Sequence, residues 1–216
     1  MIAKDTTRLK NNADNIATRA AKYRLIHDAI KPKKETQMPQ ETTGVNHMVH
    51  LMRSDTYNVA DLIADLQPGG IIIEVGAWVG ESSVLFAQHF DHVICVDSWN
   101  DKLFIDGHCA ADAYNEFLRR IHPYSNISYV RMDSVPAASL FASGIADKLY
   151  IDADHKYPSV KADIAAWKHV LKVGGYYCGH DYNTERFPGC VQAIHEMLGT
   201  PHKVYNDTSW MIPKGA

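Results

Sequence analysis

The 216-residue sequence predicts an open α/β sheet. Short apolar runs recur at 71–73, 93–96, 128–130, 149–151 and 176–178. They are continuous rather than alternating, which suits strands covered on both faces of a parallel sheet. Helical stretches lie between them, and strand alternating with helix is the pattern of an open α/β fold. The tail differs: 203–205 and 210–212 flank Asn206-Asp207-Thr208, a hairpin signal that ends the sheet in an antiparallel pair.

Taken in chain order, residues 3–30 show helical periodicity. Leu9, Ala13, Ile16, Ala20, Tyr23 and Ile30 fall near one face. Pro32 breaks it, and a Pro/Gln/Thr-rich stretch follows to residue 46. The expected organisation is an N-terminal helical extension with linker over 1–46 and a main domain over 47–216. A helix is expected over 56–66, with Val59, Leu62, Ile63 and Leu66 as its stripe and Pro68-Gly69-Gly70 after it. Further helices are expected at 82–90, 110–121, 158–172 and 191–198. In the third, Val160, Ile164, Trp167 and Leu171 share a face, and Gly174-Gly175 follow.

Composition narrows the function. Net charge is -3, which argues against a generally basic nucleic-acid binder. Residues 1–40 hold nine Lys/Arg against four Asp/Glu, whereas 41–216 hold 13 against 21. A basic run of this kind is most often a solvated helix face. No apolar run approaches the ~18 residues of a membrane span. The N-terminus has no apolar signal core, so the expected location is cytoplasmic. Cys95, Cys109, Cys178 and Cys190 lack metal-like pairing, and thiols are expected to stay reduced there.

The first strand runs into Glu74-Val75-Gly76-Ala77-Trp78-Val79-Gly80. Gly76 lets the chain turn, and Gly80 lets the next helix pack close. In a dinucleotide fingerprint a middle glycine lets backbone approach a pyrophosphate. Trp78 stands there instead, so the ligand has no need of a pyrophosphate. Asp97 ends the second strand 23 residues after Glu74, where an acid can accept ribose hydroxyls. A negative Glu74 beside the loop favours an ammonium group over a phosphate. Ribose, an amine and no diphosphate together describe S-adenosylmethionine.

The sequence resembles the class I S-adenosylmethionine-dependent methyltransferases over about residues 55–214. The resemblance rests on EVGAWVG (74–80), VICVDSW (93–99), VRMDS (130–134), YIDADHKYPSVKADIAAW (150–167) and LKVGGYYCGHDY (171–182). The fourth and fifth segments are most similar to a bacterial subgroup of small-molecule O-methyltransferases. That resemblance implies a Rossmann-like, doubly wound, seven-stranded sheet, mostly parallel with an antiparallel last strand. It also implies that Glu74 and Gly76 meet the cofactor's amino-acid end, with Ala77, Trp78 and Gly80 among the cofactor-binding residues. Asp97 would hold the ribose, Ser98 and Trp99 would border ribose and adenine, and Asp133 and Ser134 would face the adenine edge. Trp99 read alone is equally a packed loop aromatic, and Asp133 or Ser134 a helix cap.

Asp152 and Asp181 follow two strands joined by one helix, so the strands are expected to be parallel and neighbouring, ~4.8 Å apart. Both carboxylates then reach one rim and can share Mg²⁺ or a similar ion. Such a metal lowers the pKa of an acceptor hydroxyl. The resemblance supports this pair, and Asp152 could also touch the methionine amine. It departs at His180-Asp181-Tyr182, where catechol-type enzymes carry Asp-Asn. The third ligand therefore stays open between Asp154 and His180, and Asp154 could instead cap the next helix. His155 and His180 are the histidines placed to act as a general base.

The expected function is O-methylation of a small hydroxylated acceptor such as a sugar or natural product. The alternatives are an inactive methyltransferase-like scaffold and a same-fold enzyme of other chemistry, such as a hydroxylase. A nucleic-acid methyltransferase is disfavoured, because the Asn/Asp-Pro-Pro-Tyr/Phe tetrad is absent. The extension over 1–46 would either cover the acceptor site or form a homodimer contact.

Overall fold

The apolar runs do become a layered sheet. The computed structural model describes residues 59–100, 104–105 and 108–215. The expectations for the 1–46 extension and for the start of the 56–66 helix lie outside the described residues.

Helix α1 (Ala60–Asp65) precedes β1 (Ile71–Val75), α2 (Glu81–Ala87) and β2 (His92–Asp97). A small antiparallel pair, β3 (Phe104–Ile105) and β4 (His108–Cys109), then leads into α3 (Ala110–Ile121) and β5 (Ile127–Arg131). Next come α4 (Ser134–Ala138), β6 (Ala146–Ile151), α5 (Tyr157–Trp167) and β7 (Leu171–Gly179). The chain ends with α6 (Pro188–Leu198), β8 (Lys203–Val204) and β9 (Trp210–Pro213).

The main sheet has seven strands in the order β5-β2-β1-β6-β7-β9-β8. β5, β2, β1, β6 and β7 pair in parallel, while β9 is antiparallel to both β7 and β8. Strand order reverses between β1 and β6, so the carboxyl ends of β1, β2 and β6 frame a crevice of the kind that receives ligands in open α/β sheets.

Alternate strand residues feed two cores. Ile73, Val75, Leu149 and Ile151 pack with Val160, Ile164 and Trp167 of α5 on one face. Ile72, Cys95 and Tyr150 pack with Phe86 of α2 and Phe117 of α3 on the other. Both faces being covered explains why the strands read as continuous apolar runs.

Two expectations change. Helix α5 ends at Trp167 rather than at residue 172. Leu171 keeps the helical spacing but pairs with Ala146 in the sheet. Gly174 and Gly175 therefore do not stop the helix; they lie inside β7, where the register with β6 shifts. A β-carbon on Gly175 would come within 2.6 Å of the Asp147 carbonyl oxygen, so only glycine lets the strands approach there. The second change is the short α4 and the β3–β4 pair, which carry too few periodic residues for a sequence signal.

Candidate active site at the strand ends

The glycine loop lies directly against the end of β6. Gly76 has φ +92°, and a β-carbon on it would stand 2.1 Å from the Asp152 carbonyl oxygen. Its amide bonds to Val96 O at 2.8 Å, and the Asp152 amide bonds to Val75 O at 2.8 Å. Gly80 opens α2 in the left-handed region, and a β-carbon there would come within 3.0 Å of Phe117. The close packing expected of Gly80 is therefore against α3.

Trp78 and Trp99 have φ of 44° and 38°, a region bulky residues adopt only where the surroundings enforce it. Asp97 supplies that enforcement. Its carboxylate accepts the amides of Trp78 and Trp99, each at 2.9 Å. The Trp99 indole Nε1 donates to Trp78 O at 2.6 Å. Burial pushes the Asp97 carboxyl above its ordinary range, and these backbone N–H groups only partly offset that. The Trp99 ring is 1% exposed and packs on Phe117 and Tyr114, with centroids 4.6 and 5.0 Å away. It is thus the packed loop aromatic of the alternative reading. Ala77 is buried, while Trp78 and Ser98 are half-buried beside Asp97.

Glu74 is fully buried. Its oxygens accept the hydroxyls of Ser82 and Ser83, and the Cys95 thiol lies 3.3 Å away. Burial raises the carboxyl to about 7; these three donors pull it down, and the charge of Asp152 pushes it further up. The carboxylate thus ties β1 to the first turn of α2 beneath the loop. Sequence reasoning missed the two serines. The signal was available, because a carboxylate inside an apolar strand needs donors.

Asp133 is exposed at the start of α4 and makes no side-chain cap. Ser134 donates instead to Asp163 of α5, and Trp167 Nε1 donates to Ser134 O at 3.1 Å. The cap reading fails for both, and Ser134 is engaged in joining α4 to α5. Burial raises the Asp163 carboxyl to about 6 despite the Ser134 bond.

At the other side of Gly76, β6 and β7 deliver Asp152 and Asp181 as parallel neighbours. His155 Nε2 stands 2.8 Å from Asp181 Oδ2 and 3.5 Å from Asp152 Oδ1. One donor atom from each of the three residues lies within 4.8 Å of the others. His155, read from sequence as a base, is therefore the third member of the cluster. Neither residue named for that place fills it. Asp154 instead accepts the Ser159 hydroxyl at 2.7 Å and the Lys156 amide at 3.3 Å, and α5 has no side-chain cap, so the cap reading of Asp154 fails as well. His180 lies behind Asp181, its Nδ1 3.0 Å from Asp181 Oδ1.

Burial alone would lower the His155 pKa, but the hydrogen bonds and charges of Asp152 and Asp181 outweigh it and raise it to about 10. Burial likewise opposes ionisation of Asp181, yet His155 and His180 hold its carboxyl well below the ordinary range. His180 is raised, the hydrogen bond to Asp181 and the charges of Asp152, Asp181 and Asp207 overcoming burial. A protonated His155 has no lone pair to accept a hydroxyl proton. In this arrangement it is the cation between two carboxylates. Asp152, His155, His180, Cys190 and Trp210 line a pocket there.

The chemistry available is thus divided. A buried, backbone-built crevice at β1 and β2 adjoins a charged, part-exposed cluster at β6 and β7. A family model described as "Methyltransferase domain" matches residues 73–182, which spans both. No curated protein matches the chain at a significant level. Among solved structures, an S-adenosyl-L-methionine-dependent methyltransferase from Methanococcus maripaludis, named there as putative, aligns with TM-score 0.53 and 14% identity, over 86% of this chain and 98% of its own. The N-methyltransferase NodS from Bradyrhizobium japonicum, in complex with S-adenosyl-L-homocysteine, aligns with TM-score 0.52 and 14% identity, over 82% of this chain and all (100%) of its own. A Haemonchus contortus phosphoethanolamine N-methyltransferase, in complex with phosphoethanolamine and S-adenosylhomocysteine, aligns with TM-score 0.46 and 16% identity. That match covers 66% of this chain but only 29% of the Haemonchus protein. The Methanococcus and Bradyrhizobium likenesses establish the methyltransferase fold, and the match over 73–182 shows that the chain belongs to the methyltransferase-domain family.

Proposed function

We propose that the chain is an S-adenosylmethionine-dependent O-methyltransferase acting on a small hydroxylated acceptor, with a divalent cation held by Asp152, Asp181 and His155. One observation carries this reading. The three donors converge within 4.8 Å on the acceptor side of the crevice, and Asp152 abuts Gly76 of the loop that would receive the methyl donor.

When bound, the methyl donor supplies a carbon activated by its sulfonium, and the cation supplies Lewis acidity that favours an ionised acceptor hydroxyl. The chain's own task is alignment. Asp97 accepts a ribose hydroxyl in place of a backbone N–H. Asp152 and Asp181 orient the acceptor oxygen, and His155 would give up its Nε2 proton to solvent to offer that nitrogen as a donor. Trp210 and Cys190 wall the pocket against water. Two carboxylates and an imidazole fit a divalent cation, and the nitrogen extends the preference beyond Mg²⁺ towards Mn²⁺.

The same proposal takes the protein to be a cytoplasmic enzyme that forms a homodimer. No helix among the described residues is long and apolar enough to cross a membrane.

Calorimetry tests the donor and the ion together. S-adenosylmethionine should bind far more tightly than NADH. Mn²⁺ should bind wild type and lose affinity in Asp181→Asn. Tighter NADH binding would overturn the cofactor reading, and equal Mn²⁺ affinity in both proteins would overturn the metal reading.

A further inference from the structure

The β8–β9 turn grips the segment that carries Asp181. Thr208 O accepts the Tyr182 amide at 3.0 Å. Trp210 Nε1 donates to His180 O at 3.2 Å. A β-carbon on Gly179 would strike the Trp210 ring at 2.7 Å, so the two segments are in close contact. Asp181 and Thr208, one in each segment, both sit in the left-handed region, at φ 61° and 71°.

At the centre of this contact is Asp207. Its Oδ1 accepts the amide and hydroxyl of Ser209, at 3.0 and 2.6 Å, which fixes its rotamer. Its Oδ2 faces His180 Nε2 at 3.9 Å, and the Asp207 side chain is 7% exposed. The other nitrogen of the same imidazole, Nδ1, meets Asp181 Oδ1 at 3.0 Å. Asp181 Oδ2 is then left to face His155 at 2.8 Å. The chain of contacts is Asp207, His180, Asp181, His155. It orients Asp181 so that one oxygen points away from the site and the other into it. Histidine suits the middle position because its two nitrogens lie on opposite sides of a rigid ring.

We propose that Asp207 is a positioning residue for the acid cluster: acting through His180, it fixes the Asp181 carboxylate with Oδ2 towards the acceptor. The catalytic meaning of this rests on the function proposed above; the mechanical claim does not. Groups that orient a ligating side chain are worth roughly 10–100-fold in metal affinity when removed.

The test is Asp207→Asn, which keeps an acceptor for Ser209 and removes the charge facing His180. Three readouts are taken on the full chain: the melting midpoint, the affinity for Mn²⁺ alone, and the NMR shifts of the His180 ring nitrogens and the Asp181 carboxyl carbon. The expected result is an unchanged midpoint, Mn²⁺ affinity lowered roughly 10–100-fold, and displaced signals at both His180 and Asp181. His180→Gln should displace Asp181 in the same way. If Asp207→Asn moves His180 but leaves Asp181 in place, or lowers the midpoint as much as Asp207→Ala without moving either, the turn is only a structural brace. If wild type binds no Mn²⁺ yet the NMR signals move together, the positioning role stands and the metal reading falls.

Discussion

The two ends of the crevice are built by different means. At β1 and β2 the rim is backbone: two left-handed tryptophans and two glycines, held by Asp97 and by a buried Glu74–serine cluster. At β6 and β7 it is side chains: Asp152, His155 and Asp181, part-exposed and mutually charged. Backbone surfaces fix shape and tolerate little replacement. Side-chain charge clusters can be altered singly with the fold intact. Substitutions at the first end should therefore cost stability along with binding, and those at the second should cost chemistry alone.

The sharpest way to break this contrast is Gly76→Ala, because Gly76 is where the ends touch. A β-carbon 2.1 Å from Asp152 O cannot be accommodated at φ +92°. The loss should be at least about 3 kcal/mol by chemical denaturation, and near-wild-type stability would mean the loop can lift off β6.

A pH series on Glu74 comes next. Its carboxyl titrates near 4.5 when exposed and about 7 when folded. Between those values the native state holds more protons than the unfolded one, so the Glu74 contribution to stability falls as pH rises and is lost above about 7, while Asp163 adds a fall of the same sign up to about 6 and His155 continues it towards about 10. The Glu74 fall should reach at most about 3 kcal/mol, one pKa unit being worth about 1.4. Glu74→Gln should flatten the slope between about pH 6 and 7, above the Asp163 range, and an unchanged slope there would locate the titrating group elsewhere.

Asp97→Ala is expected to weaken S-adenosylmethionine by about 1.5–3 kcal/mol, roughly 10–150-fold. It should also lower stability, since the amides of Trp78 and Trp99 lose their acceptor. Weakened binding at unaltered stability would show that Asp97 serves the ligand without holding the loops.

The smallest effect is expected far from both ends. Lys161 bonds Tyr157 and Glu196 at 2.8 and 2.9 Å across α5 and α6, on the partly exposed surface. Lys161→Ala should leave the denaturation midpoint within error, because exposed ion pairs are screened and entropically costly.

The same contrast explains what the sequence made legible. Parallel strands buried on both faces announce themselves as apolar runs, and Asp97, Asp152 and Asp181 are readable because each follows such a run. Leu171 misled because its spacing satisfies helix α5 as well as strand β7, and only the pairing with Ala146 decides between them. His155 was legible as a residue but not as the partner of both aspartates, since a rotamer sets that choice. Ser134 and Asp163 come together over 29 positions of chain, and His180 and Asp207 over 27; no local pattern encodes either meeting.

The most direct test of the account is release of S-adenosylhomocysteine from S-adenosylmethionine with a pooled set of sugars and catechols as acceptors. It is measured in EDTA, then with Mg²⁺ or Mn²⁺ restored, for wild type and Asp181→Asn. The account predicts turnover by wild type only with the ion, and none by Asp181→Asn, while both proteins bind S-adenosylmethionine alike. Full turnover in EDTA, undiminished in Asp181→Asn, would contradict it.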